Sequence, residues 1–116
     1  MLGETNANNL SDSSTYVSVP INYSGGFSTS YGSIHARKYG RIVMVIFDLI
    51  APTSTGEKTI CTLPEGYRPS ENMYSLPALY NTIRTNAPAM NVYYDGHITA
   101  TFTTTNGYYG ELIFIQ

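Results

Sequence analysis

Hydrophobic and polar residues alternate along this chain with the two-residue period of β-strands, and no segment shows a helical period. The alternation is cleanest in residues 89–94 and 97–103, which are separated by Asp95-Gly96. In that hairpin the side chains of Met90, Val92, Ile98, Ala100 and Phe102 share one face, and those of Asn91, Tyr93, Thr99 and Thr101 share the other. This pattern predicts a half-buried sheet. For Asp95-Gly96 we predict a type I′ turn, in which both residues have positive φ.

Two other segments are apolar on both faces. In residues 42–50 one face carries Val43, Val45, Phe47 and Leu49, and the other carries Ile42, Met44, Ile46 and Ile50. Residues 112–115 are likewise apolar throughout. A two-layer sandwich buries only one face of each sheet, so the second face needs its own cover. A covering loop or barrel corner would supply it, but we favour a subunit interface.

Further strands are predicted at residues 16–20, 31–39, 58–63, 73–79, 80–84 and 111–115. Eight or nine short strands at regular spacing indicate an all-β fold, a single antiparallel β-sandwich or barrel. We assign residues 15–116 to this domain. Residues 1–14 are rich in Asn, Ser and Gly, which predicts a flexible arm or a junction with an upstream segment.

Composition narrows the classes of function. Only 12% of the 116 residues are charged, the net charge is −2 and the six basic residues are scattered, so we predict no nucleic-acid partner. The longest apolar run is too short to span a bilayer, and we expect no membrane insertion. Cys61 is the single cysteine, which leaves packing or assembly to stabilise the fold.

No signature of catalysis stands out. His35 and His97 are too few for a zinc site, and the turn already accounts for Asp95 beside His97. No nucleophile elbow is present, the acidic residues are dispersed, and Cys61 lies in an apolar strand. We therefore predict a non-enzymatic protein with no cofactor and no metal.

Tyrosine is the candidate binding residue, because the chain has 11 tyrosines and no tryptophan. A tyrosine ring can stack on the C–H face of a sugar, and its hydroxyl can bond the sugar's edge. Ordinary cross-strand packing is the alternative for each ring. We predict a carbohydrate-binding surface formed by Tyr80, Arg84, Asn91, Tyr93, Thr101 and Tyr108.

Two motifs carry a resemblance to a known family. Thr62-Leu63-Pro64-Glu65-Gly66-Tyr67-Arg68-Pro69 predicts a proline-bounded turn, and Asp95-Gly96-His97-Ile98 follows in the hairpin. Together they resemble the C-terminal head domains of phage tail fibre and baseplate receptor-binding proteins, above all those of phages that infect Gram-positive bacteria. We interpret Tyr67 and Arg68 as parts of the scaffold, with Tyr67 packed under the turn and Arg68 paired with a carboxylate or carbonyl.

The resemblance implies a homotrimer on the virion's tail tip that binds a bacterial cell-wall saccharide and joins upstream tail or baseplate proteins. Two alternatives stay open. The chain could be a structural module that trimerises or caps a fibre and binds no ligand. It could also be a monomeric carbohydrate-binding module attached to an enzyme.

Overall fold

The structure is a computed structural model that describes residues 15–81 and 87–116. The regular elements within these residues are nine β-strands and one short 3-10 helix, Tyr23–Gly25. The strands are β1 (Thr15–Ser18), β2 (Ser33–Tyr39), β3 (Ile42–Ile50), β4 (Gly56–Thr62), β5 (Met73–Leu76), β6 (Leu79–Asn81), β7 (Met90–Val92), β8 (His97–Phe102) and β9 (Tyr108–Ile115).

The strands form two antiparallel sheets. The larger sheet has the order β1-β2-β3-β9-β6, and the smaller has the order β4-β8-β7-β5. Their inner faces share one hydrophobic core, whose largest buried side chains include Phe47, Phe102 and Tyr108. The prediction of an all-β, sandwich-like fold is therefore confirmed.

Several strand limits differ from the sequence-based ones. The predicted strand over residues 73–79 is two strands, β5 and β6, in different sheets, with Pro77 in the break between them. The last strand begins at Tyr108, three residues before the predicted start at residue 111. The predicted arm, residues 1–14, and the end of the predicted strand 80–84 lie outside the described residues.

A β-bulge changes which face the end of β3 buries. The register between β3 and β9 shifts between Phe47 and Ile50, and Leu49 takes a positive φ of 60°. Alternation is broken there, so Ile50 is fully buried in the core and Leu49 is only half-buried. The prediction that Ile50 shares a face with Ile42, Met44 and Ile46 is therefore wrong beyond Phe47.

The turn of the β7–β8 hairpin is also different from the predicted one. Gly96 has a φ of 96°, but Asp95 does not have a positive φ. The Gly96 N–H donates to the Tyr93 carbonyl over 2.8 Å, and the Tyr93 N–H donates to the His97 carbonyl over 3.0 Å. These bonds describe a type I turn closed by a left-handed glycine, so the type I′ prediction is wrong.

The two motifs of the family resemblance, residues 62–69 and 95–98, are in contact with each other. The Leu63 N–H donates to the Gly96 carbonyl over 2.8 Å, and Arg68 Nε donates to the Leu63 carbonyl over 2.9 Å. Tyr67 packs against the core, so both residues have the scaffold roles predicted for them. A β-carbon on Gly96 would collide with the Leu63 carbonyl oxygen. The turn after β4 thus fixes the position of the β7–β8 hairpin.

The outer face of the larger sheet leaves hydrophobic side chains uncovered in the single chain. Ile42, Ile113 and Ile115 are 45%, 57% and 69% exposed. With the half-buried Met44 and Ile46 they form a continuous patch on β3 and β9, which we call the apolar stripe. The prediction that β3 is apolar on both faces is confirmed from Ile42 to Phe47.

Candidate functional site

The outer face of the smaller sheet carries aromatic and polar side chains in parallel rows. Strand register sets these rows, because residues paired across β4, β8 and β7 stand side by side. We call this surface the polar face, and its members are Tyr74, Tyr93, His97, Asn91, Thr99, Thr59, Thr101 and Glu57.

Three rings form the first row of the polar face. The rings of Tyr93 and His97 stack with centroids 4.0 Å apart and planes 8° apart. Tyr74 meets Tyr93 edge to face, with centroids 5.9 Å apart and planes 83° apart. Both arrangements are favourable for aromatic pairs. The row follows from the hairpin turn, since the Tyr93 N–H bond to the His97 carbonyl places these residues opposite each other.

Asp95 orients the imidazole at the end of this row. His97 Nδ1 lies 2.5 Å from Asp95 Oδ1, which also accepts the His97 backbone N–H over 3.1 Å. The backbone bond first, and the side-chain bond second, hold the pKa of Asp95 below its usual value. Because Nδ1 contacts the carboxylate, Nε2 is the ring nitrogen left for contact with a ligand.

Amide and hydroxyl groups form the second row. Asn91 Oδ1 accepts the Ser75 N–H over 3.0 Å, and its Nδ2 lies 3.5 Å from Thr99 Oγ1. Ser75 has a positive φ of 57°, so the Asn91 bond holds a strained residue of β5 in place. Thr101 is exposed and pairs across the sheet with Glu57. The polar face is thus ordered by its own hydrogen bonds.

A groove of about 760 Å³ lies on the other sheet, beside the bulge in β3. Cross-strand partners Tyr80 and Tyr109 line it, together with Asp48 and Glu111 and the apolar side chains of Ile46, Pro77 and Ala78. Among the described residues its charged groups are all carboxylates, and we call it the acidic groove.

The predicted binding residues separate into different places. The structure brings Asn91, Tyr93 and Thr101 together on the polar face. Tyr80 lies on β6 in the acidic groove, on the other sheet. Tyr108 is fully buried, and its hydroxyl lies 2.7 Å from Thr104 Oγ1, so its ring belongs to the core and not to a surface. Arg84 lies outside the described residues.

Sequence reasoning missed two residues of the polar face. The predicted binding surface does not include His97, and Tyr74 is assigned only to a strand. Counting register outward from the Asp95-Gly96 turn would have placed His97 opposite Tyr93. No such signal existed for Tyr74, because β5 pairs with β7 across a register shift that the sequence does not mark.

The remaining groups of chemical interest are the single cysteine and the side chains that could bind a metal ion. Burial raises the pKa of the Cys61 thiol to about 12, so the residue is an inert part of the core, as predicted. Residues 15–81 and 87–116 contain no group of three or more His, Cys, Asp or Glu side chains suited to a metal ion.

Comparison with known proteins gives no relative for this chain. No protein-family model, curated protein or solved structure matches it. The described residues include no helix long and apolar enough to cross a membrane.

Proposed function

We propose that this chain is a non-enzymatic receptor-binding head of the phage tail type, which recognises a bacterial surface saccharide as a homotrimer. The observation that carries the proposal is the polar face, where the row of Tyr74, Tyr93 and His97 stands beside a row of amide and hydroxyl groups.

The chemistry of the polar face suits a neutral sugar. Aromatic rings offer apolar surface to the C–H groups of a pyranose, and the hydroxyls of Tyr74 and Tyr93 can bond its edge. Asn91 and Thr101 add directional partners on the neighbouring rows. The described polar face carries few charges, which favours an uncharged ligand over a phosphorylated one. Its hydrogen bonds order the side chains before binding, which lowers the entropy that binding loses.

The two motifs, which are packed against each other, support placement in the tail of a phage virion, attached to upstream tail or baseplate proteins. A flat face binds each sugar weakly. Three such faces on one trimer would raise the overall affinity through their effective concentration, without new contacts at any one site.

Glycan binding by a matched set of variants tests the proposal. We expect the full chain to bind at least one polysaccharide on an array of purified Gram-positive cell-wall glycans, and Tyr93→Ala to lose about fivefold in affinity, since stacking is worth on the order of 1 kcal/mol. Tyr31→Ala is the control, because Tyr31 is an exposed tyrosine in the loop before β2. Binding that is absent, or equal in both variants, would contradict the proposal.

A structural module that trimerises or caps a fibre without a ligand is the second candidate, and the apolar stripe favours it. Trimers that persist while Tyr93→Ala and Tyr80→Ala leave adsorption to host cells unchanged would select this function. A monomer mass by light scattering, together with glycan binding, would instead select the carbohydrate-binding module.

A further inference from the structure

The outer face of the larger sheet carries opposite charges on the two sides of the apolar stripe. Register places Arg37 of β2, Met44 of β3 and Ile113 of β9 in one row. The next row contains His35, Ile46 and Glu111. The β2 side of the stripe therefore carries the Arg37 cation, and the β9 side carries the Glu111 carboxylate where it meets the acidic groove.

These charged groups have no charged partner within the described residues. The Arg37 guanidinium lies 5.0 Å from the centroid of the Tyr16 ring, and Tyr16 also packs against His35. The only ion pair in residues 15–81 and 87–116 joins Asp95 to His97, on the other sheet. Asp48 and Glu111 are exposed in the groove, whose volume would accommodate a long side chain.

We propose that this face binds a second copy of the chain, with the basic side of one copy against the acidic groove of the next. The inference rests on the proposed trimer and identifies the surface that holds it together. A face with opposite charges on separate sides of an apolar centre lets the basic side of one copy meet the acidic side of the next, whereas an unrelated acidic or basic partner would match only one side.

The geometry suits a cyclic assembly. Each copy would present Arg37 to its neighbour and receive the next Arg37 beside Glu111 and Asp48, so the contact is head to tail and can close into a ring. Burial of Ile42, Ile113 and Ile115 would supply most of the affinity. The charges would fix the register between copies.

Sedimentation velocity of the full chain over a range of concentrations tests the interface. We expect the wild type to form oligomers whose fraction rises with concentration, and Ile113→Asp to be monomeric, because it places a carboxylate in the centre of the stripe. Ile113 is exposed, so the variant should fold, which circular dichroism checks. Thr101→Asp on the polar face is the control and should sediment like the wild type.

A charge swap tests the pairing. Arg37→Glu and Glu111→Arg should each weaken self-association by at least about tenfold, and the double variant should recover it, since reversed charges attract again. A monomeric wild type, an unaffected Ile113→Asp, or a double variant no better than either single one would overturn the proposal. None of these measurements uses a saccharide, so the interface and the saccharide site can fail separately.

Discussion

The two sheets share one core but present different outer faces to their surroundings. On the smaller sheet the rings of Tyr93 and His97 stack, and the Asn91 side chain accepts a hydrogen bond from the Ser75 backbone N–H. The larger sheet has exposed isoleucines between charges that have no ion-pair partner in residues 15–81 and 87–116. The outer face of the smaller sheet is therefore ordered by contacts within one chain, whereas the described part of the chain leaves the apolar stripe of the larger sheet exposed.

This difference fits the two binding roles that we propose for one small domain. A surface that is already ordered suits a small polar ligand, because little entropy is lost on binding. An uncovered hydrophobic stripe suits burial against protein, because the hydrophobic effect rewards the area removed from water. The two faces lie on opposite sides of the sandwich, so both can be occupied at once.

Substitution of Gly96, which positions the polar face, should have the largest effect on the free energy of unfolding. Gly96→Ala should destabilise the fold by about 2–4 kcal/mol, because φ is 96° and the new methyl group would meet the Leu63 carbonyl oxygen. Gly40→Ala, with φ of 60° and no atom near the new β-carbon, should cost only about 1 kcal/mol. Urea denaturation of both variants checks this. Equal losses would show that the contact with the turn after β4 contributes nothing.

Substitutions on the two outer faces should have smaller effects on the free energy of unfolding. We expect the loss to be greater on the polar face, where Asn91 accepts a hydrogen bond, than at Glu111 on the outer face of the larger sheet. Asn91→Ala removes the acceptor of the Ser75 N–H and should cost about 1 kcal/mol in stability. Glu111→Ala, on the outer face of β9, should stay within about 0.5 kcal/mol of the wild type, since no hydrogen bond is lost in the described structure. Both substitutions would be introduced into the monomeric Ile113→Asp variant, so that self-association does not contribute. Their free energies of unfolding in urea would then be compared. A larger loss for Glu111→Ala would reverse the comparison.

The smallest effect should be the pH dependence of the stability that the Asp95–His97 bonds contribute to the hairpin turn. The pKa of Asp95 is lowered in the folded state by its bonds from His97, so the unfolded chain takes up the proton first as the pH falls. The stabilisation is present in full above the unfolded pKa of about 3.9 and is lost as the pH falls through the folded pKa. Denaturation midpoints of wild type and Asp95→Asn should therefore converge towards low pH. A constant difference between them would contradict this assignment.

Periodicity was enough to predict the class of fold and most of the strands. The alternation in residues 90–102 placed Asn91, Tyr93 and Thr101 on one outer face, and residues 42–47 proved apolar on both sides. These features depend on the two-residue repeat alone, which any strand imposes on its side chains.

Backbone irregularities defeated the same reasoning. Leu49 and Ser75 adopt positive φ without being glycine, so nothing in the sequence marked the bulges that they form. The predicted place of Tyr108 on the surface depends on where β9 begins, and because the strand starts at Tyr108, that ring points into the core. Tyr80 lies in the larger sheet because the chain crosses from the smaller sheet to the larger one at Pro77. Local sequence patterns do not encode such a crossing.

The central claim is that the two outer faces bind different partners, and one NMR experiment tests it directly. Backbone amide shifts of the 12.8 kDa chain would be followed first on dilution and then on titration with the polysaccharide selected from the array. We predict that dilution moves amides of β3 and β9, and that the polysaccharide moves those of Asn91, Tyr93 and His97. Polysaccharide-induced shifts confined to the apolar stripe, or dilution shifts confined to the polar face, would contradict the account.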